Sequence, residues 1–359
     1  MIYGIVLAGG RGERFWPLSR SNRPKQFLKL TSDKTMLEET IERVLPLIPM
    51  ERIRIVTGDE MHDNIVRFFD SVTKKNIISE PQGRNTCLAI GLAAVHVQKE
   101  DPEAVMVVLS ADHLIRPAEK LLDILRSGAA IASVEDRLIT IGITPTRPDT
   151  NYGYIQLGEM YKHEAGNVVY NIRAFKEKPK ADLANEYYYS RQYLWNSGMF
   201  VWSAASILKA IEKCQPELAG LLSAYAGKIG TSEETQARQE LYEQALSISI
   251  DYAVLEKADN VLTIKADIVW DDIGGWRALE RYKDVDRDNN VIVGQAVPVE
   301  TYECTIFNAG DGLVATFGVS DLVIVRADNI TFVAHRTRVA DVKDVLARLK
   351  EHEDTEDYL

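Results

Sequence analysis

The chain is poor in cysteine, has no excess of basic residues and contains no long apolar run, and each shortage removes a class of function. Its three cysteines, Cys87, Cys214 and Cys304, stand far apart, with no CxxC pair and no zinc-like spacing. They read as free buried thiols, which suits a reducing compartment. Lys and Arg number 42 against 53 Asp and Glu, a formal charge of −11. That balance excludes a nucleic-acid wrapper, which needs a basic face to displace counterions. It leaves open a nucleotide ligand, which needs only a local basic loop. No stretch approaches the roughly 18–20 apolar residues that span a bilayer, so no membrane partner is expected. The apolar run Ile2–Leu7 has no basic lead-in and meets glycines at once, so it reads as a strand and not a signal peptide. A cytoplasmic protein is the expectation. The six histidines form no ligand-like spacing, and His113, beside Asp112, stays unassigned.

What is present is an ordinary globular composition, 46% hydrophobic over 359 residues. Single cores rarely exceed roughly 250–300 residues, so one large domain plus a smaller one is expected. In the first half, β-type runs alternate with helical patterns. Runs near Ile2–Leu7, Ile53–Thr57, Asn76–Ile78, Ala104–Leu109 and Leu138–Gly142 read as buried strands. Amphipathic stretches at Met36–Leu47, Met61–Phe69, Thr86–Gln98 and Glu119–Ser133 lie between them. This alternation predicts an α/β fold, a Rossmann-like mixed, mostly parallel sheet flanked by helices, with ligands at the carboxyl ends of the strands. Shorter strands at Tyr154–Leu157, Val168–Phe175 and Met199–Trp202 and three helices over 204–245 follow. After about Asp284 come short β-runs punctuated by Gly, Asn and Asp, a β-rich unit of rolled or solenoid-like character, then a helix from Ala340. The expected domains are 1–283 and 284–359, with the acidic end from Glu353 frayed.

Leu7-Ala8-Gly9-Gly10-Arg11-Gly12 follows the first strand directly. Three glycines in four positions allow a tight turn that offers backbone N–H groups to an anion, and Arg11 and Arg14 add charge. The pattern is neither GxGxxG nor GxxxxGK[ST], so no dinucleotide fold or P-loop follows, and a plain glycine turn is the competing reading. Phe15-Trp16-Pro17 and Arg23-Pro24-Lys25-Gln26-Phe27 extend the loop with one more cation. The whole run Leu7–Leu28 resembles the signature of sugar-phosphate nucleotidyltransferases, in the variant of the mannose-1-phosphate guanylyltransferases.

The resemblance carries a set of expectations. Leu7, Ala8, Gly9, Gly10, Arg11 and Gly12 would wrap a nucleoside triphosphate, and Arg14 and Lys25 would bind the departing pyrophosphate. Asp112 ends the apolar run Val105–Leu109, where a carboxylate at a strand tip points into the ligand crevice or else caps the next helix. The resemblance makes it a magnesium ligand, joined by Asp272 of Trp270-Asp271-Asp272-Ile273-Gly274, with Asp271 as the alternative because strand neighbours face opposite sides. Magnesium takes oxygen ligands and often only one or two carboxylates. Gln82, Gly83, Asn85 and Thr86 would meet base and ribose, while Asn85 or Thr86 also suits a helix cap. Gly153, Glu177 and Asn196 would line the hexose, with Lys178 on its phosphate. The stretch Ile250–Lys257 also matches the mannose branch and reads as structural. GTP and mannose 1-phosphate are the implied substrates and Mg²⁺ the implied cofactor. Longer family members carry an isomerase domain, and one activity is expected here. The tail is a candidate homodimer interface. The alternatives are a transferase for another base or hexose, and a non-catalytic sugar-nucleotide-binding paralogue, which would be expected to lack one of these charged residues.

Overall fold

The computed structural model describes residues 1–10 and 12–359. In chain order the strands are β1 (Ile2–Leu7), β2 (Ile53–Gly58), β3 (Ile77–Glu80), β4 (Val105–Ser110), β5 (Leu114–Arg116), β6 (Leu138–Ile143), β7 (Gly153–Glu164), β8 (Asn167–Lys176), β9 (Tyr193–Ser203), β10 (Val261–Ala266) and β11 (Val269–Asp271). The helices of this region are α1 (Met36–Val44), α2 (Asp59–Phe68), α3 (Asn85–Glu100), α4 (Ala118–Ala132), α5 (Ala181–Ser190), α6 (Ala204–Cys214), α7 (Pro216–Ala226) and α8 (Glu234–Gln244). Beyond them lie β12 (Val291–Val293), β13 (Ala296–Tyr302), β14 (Thr305–Asn308), β15 (Val314–Ser320), β16 (Leu322–Ala327), β17 (Ile330–His335) and α9 (Val342–Lys350). The chain forms two compact units, Met1–Gly9 with Thr40–Ala111 and Ile115–Trp270, and Gly10–Glu39 with Asp112–Leu114 and Asp271–Leu359.

The first unit is built on a nine-stranded sheet ordered β3-β2-β1-β4-β9-β6-β10-β8-β7, in which β7 also pairs with β9. The pairs β3–β2, β2–β1 and β1–β4 are parallel, and so is β6–β10. Strands β1 and β4 are almost continuously apolar because both faces are covered. The mixed character comes from residues 153–203, whose strands β7, β8 and β9 pair antiparallel with their neighbours. Helix α3 is apolar on nearly all sides, as a helix enclosed by other elements must be. Its Gly91 lets α7 come close, since a Cβ there would meet Leu222 Cδ1 at 2.7 Å.

In the second unit the strands wind as successive coils. β12, β14 and β16 pair in parallel, β13 and β15 form a second parallel pair, and β17 closes the first sheet antiparallel. The rolled character expected from the sequence is therefore present. Its core holds Phe15, Trp16, Leu18, Leu28 and Leu30 from residues 10–39 together with Ile273, Trp276, Phe307, Val323 and Phe332. Phe15 meets the Trp276 ring edge-on with centroids 5.2 Å apart, and Trp276 meets Phe307 at 5.2 Å.

At the end of the chain Trp16 Nε1 donates to the Tyr358 carbonyl at 2.7 Å and Ser21 N to that of Leu359 at 3.4 Å. Cys214 is half-buried rather than buried, while Cys87 and Cys304 are buried, and all three are free thiols. Burial pushes the Cys87 thiol up to about 12, so it is unreactive at neutral pH. No helix among the described residues is long and apolar enough to cross a membrane.

Candidate active site

In the second unit the glycine-loop segment is held by its neighbours. Gly12 has φ +66°, and a Cβ there would overlap the Cβ of Lys25, so both conformation and space require glycine. Ser19 Oγ donates to the Gly12 carbonyl at 2.6 Å. Lys25, only 7% exposed, donates through Nζ to Asp112 Oδ2 at 2.6 Å and to the Asp272 carbonyl at 2.7 Å. One ammonium thus gathers Asp112 and Asp272, which lie 160 residues apart in sequence. Burial raises the Asp112 carboxyl, but Lys25 and His113 beside it together outweigh burial and hold it below the ordinary carboxylate range.

The structure separates the two neighbouring aspartates. Asp271 accepts both Arg281 Nε at 2.5 Å and Arg281 Nη2 at 2.6 Å, and Ile273 N donates to its Oδ1 at 2.8 Å. A carboxylate so engaged is a structural anchor. The Asp272 carboxylate lies against Gly274, where a Cβ would stand 3.2 Å from Oδ2. Among the described residues no group of three or more His, Cys, Asp and Glu side chains could hold a metal ion. Two carboxylates suit a hard cation that completes its shell with water and phosphate oxygens.

Gly10, Gly12, Arg14, Lys25, Asp112 and Gly274 line an open cleft of about 450 Å³. Lys343 of α9 reaches the same cleft, 3.7 Å from Glu13. Sequence reasoning missed it, since an exposed lysine on an amphipathic helix carries no signal. Arg11 lies outside the described residues.

In the first unit Leu7, Ala8 and Gly9 leave β1 pinned by two bonds, Ala8 N donating to Val56 O at 2.8 Å and Thr57 Oγ1 to Ala8 O at 3.1 Å. Facing Gly9 is Glu80, at the carboxyl end of β3 and 7% exposed. Its Oε2 stands 3.6 Å from where a Gly9 Cβ would be. Tyr242 OH donates to Oε1 at 2.9 Å. Burial, outweighing that bond, pushes the Glu80 carboxyl up to about 7. Gln82 Nε2 and Arg84 Nε both donate to the Tyr242 carbonyl, at 3.1 and 2.8 Å. Gly83 borders open space. Asn85, at φ +66°, accepts from Thr86 N through its own side chain, and Thr86 Oγ1 accepts from Ile250 N at 2.9 Å. Gln82 and Thr86 therefore tie the loop to the segment 242–250. Glu80 was missed because its hydrogen-bond partner is 162 residues away.

The other residues of interest meet where β7 lies between β8 and β9. Gly153 is in register with Asn196 across β7 and β9, and β8 leads directly into Glu177 and Lys178. A Cβ on Gly153 would overlap Glu177 Oε2. Lys178 Nζ pairs with Glu177 Oε1 at 2.9 Å. Burial lowers the Lys178 ammonium, but Glu177 prevails and its pKa is raised. Gly153, Glu177, Lys178 and Asn196 are thus brought together, and a further carboxylate, Asp251, joins them.

Comparison with known proteins identifies the family. Residues 3–289 match the family described as Nucleotidyl transferase, and residues 294–349 match a MannoseP isomerase/GMP-like beta-helix domain. An Escherichia coli protein named mannose-1-phosphate guanylyltransferase is 35% identical over 359 residues, covering 99% of this chain and 75% of that protein. The Salmonella typhimurium mannose-1-phosphate guanylyltransferase ManC is 36% identical, covering 97% of this chain and 73% of its own. Among solved structures, a Thermus thermophilus protein named mannose-1-phosphate geranyltransferase superposes with a TM-score of 0.86 at 36% identity, over 97% of this chain and 99% of that one.

Proposed function

The chain belongs to the nucleotidyl transferase family, among the mannose-1-phosphate guanylyltransferases, and from that premise we propose that it transfers GMP from GTP to mannose 1-phosphate. GDP-mannose and pyrophosphate are the products. The observation that carries this reading is the Lys25 ammonium joining Asp112 to Asp272 at the edge of a glycine-lined cleft. We assign 1–283 to the catalytic domain and 284–359 to the β-rich one.

The nucleophile is a phosphate oxygen of the sugar phosphate, already ionised near neutral pH. It forms a bond to the α-phosphorus while the α–β bridging P–O bond breaks opposite, and pyrophosphate departs with the electron pair. No protein nucleophile is required, so the work is positioning and charge neutralisation. Lys25 keeps Asp112 ionised and oriented. Arg14 stands on the cleft to meet the leaving pyrophosphate, where the developing charge is greatest. Lys178 offsets repulsion between the two anionic substrates. Enzymes of this family use a divalent metal. We infer magnesium at Asp112 and Asp272, where it would supply electrostatic stabilisation of phosphate oxygens. On the base side we assign guanine to Glu80. Guanine presents two adjacent donors, N1–H and the 2-amino group, and a carboxylate is the matching double acceptor.

Pyrophosphate release from the purified protein tests this, with GTP, ATP, UTP, CTP and dTTP against mannose, glucose and glucosamine 1-phosphates. Turnover is expected with GTP and mannose 1-phosphate. Preference for another pair would overturn the specificity, and silence across the panel would overturn the activity.

A further inference from the structure

Asn196 uses its acceptor and one of its donors inside the protein. Thr140 Oγ1 donates to its Oδ1 at 2.8 Å, and its Nδ2 donates to Asp251 Oδ1 at 2.9 Å. The arrangement aims Asp251. That residue opens a short π-helical turn, Asp251–Leu255, whose first carbonyl accepts from Glu256 N at 3.0 Å. Such turns recur at functional sites, because the extra residue redirects a side chain. The turn is fastened to the Glu177 loop, since Glu177 N donates to Glu256 Oε1 at 3.2 Å.

The Glu177 side chain is 7% exposed, and its Oε2 is buried with no hydrogen-bond partner. A buried carboxylate oxygen without a donor is costly and calls for one. The missing Cβ of Gly153 leaves that oxygen over bare backbone. Burial and then the neighbouring Glu177 charge push the Asp251 carboxyl up to about 7, against the hydrogen bond from Asn196. Two carboxylates with one ammonium beside them suit neutral donors such as hydroxyls.

We propose that Asp251 is a hexose-binding residue, accepting with Glu177 the hydroxyl protons of the sugar 1-phosphate, and that Asn196 is the positioning residue that holds it. This rests on the reading of the chain as a hexose 1-phosphate nucleotidyltransferase. The mannose end of the substrate is then read by an acid pair drawn from two distant segments, and the segment 250–257 contributes a binding group.

The test compares wild type, Asp251→Asn and Asn196→Ala on mannose 1-phosphate and on its 2-, 3-, 4- and 6-deoxy analogues. Asp251→Asn keeps an acceptor for Asn196 and should raise the sugar-phosphate KM about 10- to 100-fold, the range for a hydrogen bond to a charged group. The KM for GTP should stay within about 2-fold. Asn196→Ala should raise the sugar KM about 3- to 10-fold, and that effect should vanish in the Asp251→Asn background. The deoxy analogue that wild type rejects most strongly should be rejected no more than mannose 1-phosphate by Asp251→Asn. An unchanged sugar KM, or fully additive penalties for every analogue, would overturn the assignment. Wild type alone also decides if the variant fails to fold. Deletion of at least one hydroxyl must then cost about 30-fold or more, and a uniformly small cost overturns the proposal. Wild type inactive on every hexose 1-phosphate would instead defeat the underlying reading.

Discussion

Lys25 illustrates how one side chain links fold to chemistry. It is nearly buried, and its ammonium closes on a carboxylate and a carbonyl from different parts of the chain. Asp112→Asn should lower kcat by at least about 100-fold, because a preplaced charge is lost where it acts in the transition state. Circular dichroism should remain native. Full activity with normal metal dependence would remove Asp112 from the site. Glu80→Gln should narrow the preference for GTP over ITP, which lacks the 2-amino group, by about 10-fold or more. An unchanged ratio would remove Glu80 from base recognition. Both Glu80 and Asp251 have carboxyl pKa values raised to about 7. At these two groups the folded chain holds more protons than the unfolded chain between about pH 4 and 7, so their contribution to stability falls as pH rises through that window. A double variant Glu80→Gln, Asp251→Asn should show a flatter dependence of Tm on pH there. An identical slope would mean that neither group titrates as described.

At the scale of elements, the glycine loop depends on aromatic packing with the C-terminal strands of its own unit. Phe15 and Trp16 are core residues, and Trp16 meets Phe332 edge-on at 5.5 Å. Phe307→Ala should cost about 3–5 kcal/mol, as for other large core truncations. It should also raise the KM for GTP, although Phe307 does not line the cleft. A normal KM at a lowered Tm would separate the loop from that packing. What the sequence disclosed at this scale follows from contiguity. The glycine turn, the 80–86 loop and Glu177-Lys178-Pro179 are local strings, and β1 and β4 are unbroken apolar runs. Strand β13 escaped notice because Pro298 interrupts it, and α5 because its tyrosines blur the helical period. Partnerships such as Tyr242 with Glu80, or Asn196 with Asp251, join residues far apart and leave no trace in spacing. For the same reason the spacing gave no sign that Arg281 holds Asp271.

For the molecule as a whole, the segment bearing Gly10, Arg14 and Lys25 folds with the C-terminal strands, although it lies near the start of the chain. A chain cut after Lys283 would lose Phe307, Val323 and Phe332 from that core. Such a truncation should bind GTP weakly, and titration calorimetry against the full chain would measure the loss. Equal affinity would show that the catalytic domain holds its loop unaided. The residues proposed for base, phosphate and hexose come from segments spread across most of the sequence, which is why the proposed function was legible through motifs in series and not through any single one.

In the proposed reaction the sugar phosphate itself attacks the α-phosphorus of GTP. Mannose 1-phosphate labelled with ¹⁸O in its non-bridging phosphate oxygens, incubated with GTP, magnesium and the purified protein, tests this by ³¹P NMR. GDP-mannose and pyrophosphate are expected in equal amounts, with ¹⁸O in the new bridge between the two phosphorus atoms. Pyrophosphate without GDP-mannose, or a bridge free of label, would contradict it.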